Sequence, residues 1–371
     1  MSPERLILAL NAGSSTLKCA LYEIGDDRLT EVGRSQAEVH GATADAAAVS
    51  ELLAWSARQR PGAALAGVGH RVVHGGMAFG APVLIDAKVL AALNALEPLA
   101  PLHQPQSLAA VHAVAELRPD LAQIACFDTG FHQTMAEVVT RFGLPRALHD
   151  RGVRRYGFHG LSYSYIAERL RALDPDLAAG RVIVAHLGSG ASLCAMAAGR
   201  SVDTTMSLTP LDGLVMSTRC GDMDPGVGLY LQAQDGLDHD QLQDLFYLHA
   251  GLLGVSGVSG DMRTLLQSRD PAAAEAVELF VHRAGREAAA LAGVLGGLDG
   301  VVFTAGIGEH SAPVRALIGE RLAWLGLKLD PTANAKGGEA RISTPDSRVA
   351  AWVMPTDEEQ VIAAQTLSRL S

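Results

Sequence analysis

The stretch that decides the fold is residues 6–24, which read LILALNAGSSTLKCALYEI. The apolar run at residues 6–10 predicts a buried strand, and residues 17–24 predict a returning strand. Between them, residues 11–16 are small and polar, which is typical of a hairpin turn whose backbone N–H groups can approach a phosphate. The GxxxxGK[ST] pattern is absent and a strand follows the turn, so this is not a Walker loop.

A second segment repeats this arrangement. Residues 182–185 are apolar, residues 186–190 read HLGSG, and residues 192–197 return as a strand. A shift of 175 residues superposes Gly13 on Gly188, Ser14 on Ser189, Cys19 on Cys194 and Ala20 on Ala195. Two similar hairpins, each opening a segment of comparable length, predict a duplicated domain.

Helical and strand-like patterns alternate along both halves, which predicts α/β layers. The predicted helices cover residues 46–60, 87–96, 107–117, 162–172, 241–249, 272–295 and 313–325, with a last helix from 357. The predicted strands cover residues 67–73, 122–127, 301–304 and 349–353. No linker rich in Pro, Gly or Ser separates the halves, so we expect two domains that share a cleft. We place domain I at 1–131 with 360–371, and domain II at 132–359.

Composition sets the class of protein. A chain of 371 residues, 48% of them hydrophobic and 19% charged, suits a globular protein of about two domains. The net charge of −10 argues against binding nucleic acid or an anionic membrane through the overall field. The sequence has no apolar stretch that predicts a membrane span, and its four scattered cysteines form no zinc pattern. Buried thiols in a reducing compartment are expected, so we predict a cytoplasmic protein.

Charged side chains in turn-forming surroundings are the first candidates for chemistry. Arg71 and Arg219 have apolar or glycine-rich flanks, and a guanidinium binds phosphate or carboxylate oxygens bidentately. Asp128 follows an apolar run, which predicts either a carboxylate at the ligand edge of a sheet or a helix N-cap. His159 and His186 have polar, glycine-bordered settings suited to holding oxygens, although a structural role is the commoner one.

Three further patterns are less specific. Residues 306–308 read GIG after an apolar run and before an expected helix, so they could face a nucleotide. Glu358 and Glu359 stand at an expected helix start, where acidic residues usually complement the helix dipole. His70 and His74 have HxxxH spacing on an expected strand, which separates the two rings by about 13 Å, so zinc is not expected there.

Taken together, the motifs resemble the acetate kinase (acetokinase) family, a branch of the superfamily that includes actin, hexokinase and heat-shock chaperone ATPases. The resemblance spans nearly the whole chain in family order. The matching blocks are residues 11–18, 69–76, 100–103, 127–135, 155–160, 186–190, 209–211, 218–225, 304–309 and 355–359.

The resemblance implies an α/β fold of two duplicated ribonuclease-H-like (actin-like ATPase) domains with the active site in the cleft between them. It also implies transfer of the γ-phosphoryl group of ATP to acetate, giving acetyl phosphate and ADP, with Mg²⁺ and a homodimer. Domain II would bind the nucleotide and form the dimer. A propionate kinase is the nearest alternative, and a nucleotide-driven switch or a sugar kinase are the others.

The resemblance also assigns roles to individual residues. It implies catalytic roles for Asp128, Arg219, His159, Arg71 and His186, with Asp128 as an organiser. For the acyl group it implies Arg71, Val73, Leu102, Phe158 and Pro210. For the nucleotide and its phosphates it implies Asn11, Ser14, Thr16, Lys18, His186, Gly188, Ser189, Gly190, Asp261, Met262, Arg263, Gly306, Ile307, Gly308 and His310. Asn11 and Glu358 would support Mg²⁺, with Mn²⁺ as an alternative metal.

Some positions depart from the family pattern. Ser189 and His310 each stand where an asparagine is expected, Leu161 where a small hydroxyl residue is expected, and Cys220 where a serine or similar residue is expected. Ser189 can still donate a hydrogen bond but has a shorter reach, which affects the nucleotide side. None of these departures removes a charged group that the chemistry needs.

Overall fold

The computed structural model describes residues 4–13, 16–25, 28–39 and 46–370. The chain divides into two compact units. The first unit comprises Met1–Gln133, His159–Tyr165 and Asp357–Ser371, and the second comprises Thr134–Phe158 and Ile166–Thr356. The domain limits expected from the sequence stay a prediction.

The elements up to Gln133 follow the expected alternation of strands and helices. In chain order they are β1 (Arg5–Ala12), β2 (Thr16–Ile24), β3 (Leu29–Glu38), α1 (Ala46–Gln59), β4 (Ala64–Val72), β5 (Val83–Leu84), α2 (Ala87–Asn94), α3 (Gln104–Leu117) and β6 (Gln123–Phe127). Short 3-10 helices lie at Glu97–Leu99 and Gly130–Thr134.

The remaining elements lie mostly in the second unit, while the start of α6 and the whole of α16 belong to the first. They are α4 (Glu137–Thr140), α5 (Arg146–Asp150), α6 (Gly160–Leu173), α7 (Pro175–Ala178), β7 (Arg181–Leu187), β8 (Ala191–Ala197), β9 (Arg200–Thr204), α8 (Gly226–Asp235), α9 (His239–Leu248), α10 (Gly251–Ser256), α11 (Met262–Gln267), α12 (Pro271–Leu295), β10 (Gly300–Thr304), α13 (Ala305–His310), α14 (Ala312–Arg321), α15 (Pro331–Lys336), β11 (Ala340–Arg341), β12 (Ala350–Val353) and α16 (Glu358–Leu370). The predicted helix at 313–325 is interrupted, because a 3-10 helix at Ala323–Leu325 follows α14.

The two sheets have the same topology. One has the strand order β3-β2-β1-β4-β6-β5 and the other β9-β8-β7-β10-β12-β11. In each sheet the first three strands pair antiparallel. The third of them, β1 or β7, also begins a run of three parallel strands, and a short antiparallel strand closes the edge. This repeat confirms the predicted duplicated ribonuclease-H-like α/β fold.

The two hairpins differ in length. Gly13 N–H donates to Thr16 O at 2.9 Å, whereas Gly188 N–H donates to Gly190 O at 3.1 Å, so the second turn is one residue shorter. A shift of 175 therefore aligns β1 with β7, but the returning strands need a shift of 174. The predicted superposition was wrong for the returning strands, where it paired Cys19 with Cys194 and Ala20 with Ala195.

The C-terminal helix α16 packs on the first sheet. A glycine at position 69 of β4 is needed for this approach, because a Cβ there would lie 2.1 Å from Thr366 Oγ1 and 2.6 Å from Ile362 Cγ2. The helix and the sheet enclose a core of Ile7, Ala9, Ala20, Tyr22, Ile124, Cys126, Leu161, Val361, Ile362 and Ala363. One departure from the family pattern, Leu161, is thus a core residue.

The cysteines are free thiols, and Cys19, Cys126 and Cys194 are buried as expected. Cys220 is only half-buried, so the expectation of a buried thiol was wrong there. Burial still raises the pKa of the Cys220 thiol to about 11. Within the described part of the chain, no helix is both long enough and apolar enough to cross a membrane.

His70 is a fully buried histidine in the middle of β4. Its side chain is 1% exposed, and burial lowers its pKa from 6.5 to about 4. In the register of the two sheets His70 faces Leu10 of β1, and Phe303 faces Ala185 of β7, so the duplicated half has an aromatic side chain at the matching position. The fold therefore holds the imidazole in its neutral form.

Acid should unfold the protein in part through His70. The lowered folded-state pKa means that this contribution to stability is complete above pH 6.5 and is lost as pH falls from 6.5 towards 4. Replacing His70 with Phe should reduce the loss of unfolding free energy between pH 7 and pH 4.5 by about 2–3 kcal/mol, measured by urea denaturation. An exposed histidine on α3, changed as His112→Gln, is the control. An unchanged pH dependence in His70→Phe would contradict this prediction.

Candidate active site

The ends of three adjacent strands carry the first group of predicted residues. β1, β4 and β6 are parallel neighbours in the first unit. Asn11 lies near the end of β1, Arg71 near the end of β4, and Asp128 directly after β6. Open α/β sheets bind their ligands beyond the carboxyl ends of the strands. The fold thus brings these three predicted residues to the same edge.

Arg71 and Asp128 form a bidentate ion pair. Arg71 Nη2 lies 2.5 Å from Asp128 Oδ2, and Nε donates to the same oxygen at 3.0 Å. The Asp128 side chain is 1% exposed and that of Arg71 15%. Burial raises the pKa of the Asp128 carboxyl, and the Arg71 charge opposes that rise. Because two nitrogens of the guanidinium are engaged, Asp128 fixes the direction in which Arg71 points.

Asn11 contacts the first turn of α16. Its Nδ2 donates to Glu358 Oε2 at 2.9 Å and to Glu359 Oε1 at 2.8 Å. Glu358 and Glu359 begin the helix, as predicted. Among the described residues, no group of three or more His, Cys, Asp or Glu side chains is arranged to hold a metal ion. The side-chain oxygens of Asn11 and Glu358 are nevertheless suitable ligands for Mg²⁺. Proteins often bind this ion through one or two carboxylates together with substrate phosphates.

Arg34 was not predicted as a site residue, yet it pairs with acidic residues at the start of α16. Its Nη1 donates to Glu359 Oε2 at 3.2 Å, and its Nη2 pairs with Asp357. The partner Glu359 is 325 residues away in the sequence, so no local pattern pointed to Arg34. Asp357 Oδ1 in turn accepts the N–H of Gln360 at 2.9 Å and caps the helix.

His159 has an unusual backbone conformation. Its φ of 58° lies in the left-handed region, which few residues other than glycine adopt. The next residue, Gly160, donates its N–H to Asp128 O at 2.8 Å, and a Cβ there would lie 2.1 Å from that oxygen. The close contact of Gly160 with the Asp128 backbone therefore sets the position of His159.

The remaining predicted residues of the first unit have varied settings. Lys18 is exposed and lies opposite Asn11 in the register of β1 and β2. Thr16 is half-buried at the turn. Val73 is buried and Leu102 half-buried. Ser14 lies outside the described residues.

In the second unit, His186 lies near the end of β7, and the turn between β7 and β8 carries Gly188, Ser189 and Gly190. Gly188 and Ser189 line a cavity of about 780 Å³, a size that suits a nucleotide-sized ligand. Of the other predicted nucleotide positions, Asp261, Met262, Arg263, Gly306, Ile307 and His310 line the same cavity. His186, Gly190 and Gly308 are not part of its lining. Six residues that no sequence pattern predicted also line the cavity: Ser217, Gly260, Leu266, Gln267, Ser311 and Pro313.

One wall of this cavity is the first turn of α13. Residues 306–308 precede helix α14 as expected, but they also lie inside a short helix, α13, that the sequence did not predict. Gly308 packs beneath the cavity, where an added Cβ would lie 3.5 Å from Ala185 O. The fully buried Arg315 donates through Nη1 to the carbonyl oxygens of Gly308 and Glu309, both at 2.9 Å. Burial lowers the pKa of Arg315.

The start of α11 forms another part of the cavity lining. Asp261 caps this helix by accepting the N–H of Arg263 at 2.8 Å. The Arg263 side chain, 85% exposed, pairs with Asp261 at 2.6 Å and lowers the pKa of that carboxyl. The two predicted residues are therefore brought together.

Arg219 lies in the loop between β9 and α8. Its Nη1 donates to Pro210 O at 2.7 Å, and its backbone oxygen accepts the Met216 N–H at 3.1 Å. Gly251, with a φ of 62°, passes so close that a Cβ would lie 2.8 Å from Arg219 O. The loop is thus fixed on two sides. Phe158 and Pro210, predicted to contact the acyl group, are both buried in this unit.

Comparisons with known proteins show the family to which the chain belongs. A model described as the acetokinase family matches residues 25–364. The chain is 50% identical over 388 residues to an acetate kinase of Rhodopseudomonas palustris (strain TIE-1), with 96% of each covered. A propionate kinase structure from Francisella tularensis matches with 35% identity and a TM-score of 0.89, covering 99% of this chain and 100% of that one. An acetate kinase structure from Porphyromonas gingivalis matches with 33% identity and a TM-score of 0.84, with 100% of both covered.

The repeated sheets and the close structural neighbours define a protein of the actin-like ATPase type, built from two duplicated α/β domains. Within that class, the chain belongs to the acetokinase family.

Proposed function

We propose that the protein catalyses the reversible transfer of the γ-phosphoryl group of ATP to acetate, giving acetyl phosphate and ADP. The observation that carries this proposal is the buried ion pair of Arg71 and Asp128 beside Asn11 in a member of the acetokinase family. Relatives over nearly the full chain length carry the name acetate kinase, which supports acetate as the acceptor.

The chemistry of the phosphoryl acceptor, acetate, determines the role of Asp128. Acetate is ionised at neutral pH, so its attack on the γ-phosphorus needs no general base. A sugar hydroxyl would need one, but the Asp128 carboxylate is already engaged by Arg71. Asp128 acts instead as an organiser that orients the Arg71 guanidinium towards an anion.

Repulsion between the acetate anion and the phosphate oxygens is the barrier that the protein must offset. We propose that Arg71 and Arg219 hold these oxygens, that His186 and Asn11 surround the transferred group, and that His159 positions it. Fixed charges of this kind stabilise a transition state without reorganisation. Transfer is then direct and in line, and it is reversible because acetyl phosphate is itself a strong phosphoryl donor.

The nucleotide would occupy the cavity of the second unit. We propose that Gly188 and Ser189 face its phosphates, as the turn of a nucleotide-binding hairpin does. Asn11 and Glu358 would hold Mg²⁺, which neutralises phosphate charge when it is bound. The protein would act in the cytoplasm, which its free thiols support.

We propose a homodimer because the second unit exposes an apolar helix on its surface. Helix α8 has no buried residue, and Leu229 and Tyr230 on it are 69% and 63% exposed. A ten-residue helix is marginal in water without packing, so a second copy of the chain covering this helix would stabilise it.

The proposed reaction is tested by detecting its product, the acyl phosphate. Purified protein, ATP and Mg²⁺ are incubated with acetate, propionate or no acceptor, and acyl phosphate is trapped with hydroxylamine. We expect acetate-dependent hydroxamate and a kcat/KM for acetate about tenfold or more above that for propionate, since a methylene in an apolar pocket is worth about that much. The reverse ratio would favour a propionate kinase, which the neighbouring Francisella structure makes the second candidate. No hydroxamate from either acid would refute the proposed reaction.

Arg219→Ala should lower kcat by about two orders of magnitude or more, because the guanidinium stabilises charge that grows in the transition state. Steady-state hydroxamate assays measure this loss. The surface variant Arg118→Ala, which removes only an exposed pair with Asp120, is the control. A change in KM for acetate with kcat unchanged would show that Arg219 binds the ground state instead.

Tyr230→Glu combined with Leu229→Glu should separate the dimer, because two buried carboxylates would have no partners. Light scattering after size exclusion should give twice the 38.8 kDa chain mass for the wild type and the single mass for the double variant. Leu117→Glu, at an exposed apolar residue of the first unit, is the control. A wild-type protein with the single-chain mass would overturn the proposal.

A further inference from the structure

Glu309 lies on α13 and has no assigned role in the reaction. Its side chain is 15% exposed. Its Oε1 accepts the N–H of Ala305 at 2.9 Å and the N–H of Thr356 at 3.3 Å. A single carboxylate oxygen therefore joins the first residue of α13 to the segment that follows β12.

Ala305 needs such a partner. Its φ of 64° is in the left-handed region, where a side chain carries strain and persists only if its surroundings hold it. The two residues that follow it, Gly306 and Ile307, line the cavity of the second unit. The conformation of Ala305 thus decides where this wall of the cavity lies.

The other end of the same short helix is fixed separately. Arg315 donates hydrogen bonds to the carbonyl oxygens of Gly308 and Glu309, and its Nε donates to Asn334 Oδ1 at 2.7 Å. Glu309 Oε2 lies 4.0 Å from His310 Nε2, beyond hydrogen-bond distance. The Glu309 carboxylate therefore acts through its Oε1, which accepts hydrogen bonds from two backbone N–H groups.

We propose that Glu309 is a positioning residue for the nucleotide: it holds Ala305 in the left-handed conformation so that Gly306 and Ile307 form the cavity wall. This inference rests on the proposed function for the nature of the ligand.

If Glu309 acts as a hydrogen-bond acceptor, three substitutions at this position should have different effects. Glu309→Gln keeps an oxygen at the same reach and removes the charge, so it should support the turn. Glu309→Asp keeps the charge but shortens the reach, so it should fail to bond both N–H groups. Glu309→Ala removes the acceptor and should behave like the aspartate variant. A role in holding charge or metal predicts the opposite order for Gln and Asp.

The test is ADP binding measured by calorimetry with Mg²⁺ present, alongside KM values for ATP and acetate. We expect the Kd for ADP to rise about tenfold or more in Glu309→Ala and Glu309→Asp and to stay within about twofold in Glu309→Gln. KM for ATP should follow the Kd, while KM for acetate should stay within about twofold. Glu320→Ala, an exposed carboxylate of α14, is the matched control.

Several outcomes would overturn the proposal. These are unchanged ADP affinity in Glu309→Asp, a glutamine variant as weak as the alanine variant, or equal rises in KM for ATP and acetate. If Glu309→Ala does not fold, the order of the glutamine and aspartate variants decides. A wild type that does not bind ADP also refutes it. A wild type that binds ADP but forms no hydroxamate refutes the proposed reaction and leaves this inference standing.

Discussion

The contact of α16 with β4 at Gly69 is the constraint on which the first unit depends. Only a residue without a side chain lets the helix backbone come this close to the sheet. The packing brings the first turn of α16 to the end of β1, where Glu358 and Glu359 meet the Asn11 amide. An apolar contact in the core thus determines the position of charged groups at the sheet edge.

Those charged groups remain in place because each has a partner. The buried Asp128 carboxylate would be costly alone, and Arg71 compensates it through a bidentate contact. Asn11 donates to both glutamates, and Arg34 adds a charge that offsets their mutual repulsion. Because these partners come from different strands and from the chain terminus, the arrangement exists only in the folded unit. Its rigidity is what a reaction between two anions requires, since flexible charges would first have to reorganise.

The sequence predicted much of this, and its failures have physical reasons. Apolar runs followed by Asn11 and Asp128 predicted residues at strand ends, because strands of this kind end at a common edge. Strand β3 was missed, since Val32 forms a bulge that interrupts its alternation and the strand is largely exposed. Arg34 was missed because its partner Glu359 is 325 residues away. Glu309 was missed because its role depends on the left-handed backbone of Ala305 and on Thr356, 47 residues away, neither of which a sequence pattern reports. A sequence pattern reports periodicity and end signals, and it does not report which distant backbone groups a side chain will bond.

The duplication explains why the two edges differ in chemistry. The shift of 175 that aligns β1 with β7 places Asn11 at the position of His186. In the same register, Arg71 follows His70 on β4, while Thr304 follows Phe303 on β10. The first sheet thus has an amide and a guanidinium where the second has an imidazole and a hydroxyl. Charge has been concentrated on one copy, while the other has a shorter turn and the glycine-lined cavity. The two sheets therefore present different side chains at the same edge, because the residues differ while the strand order is kept.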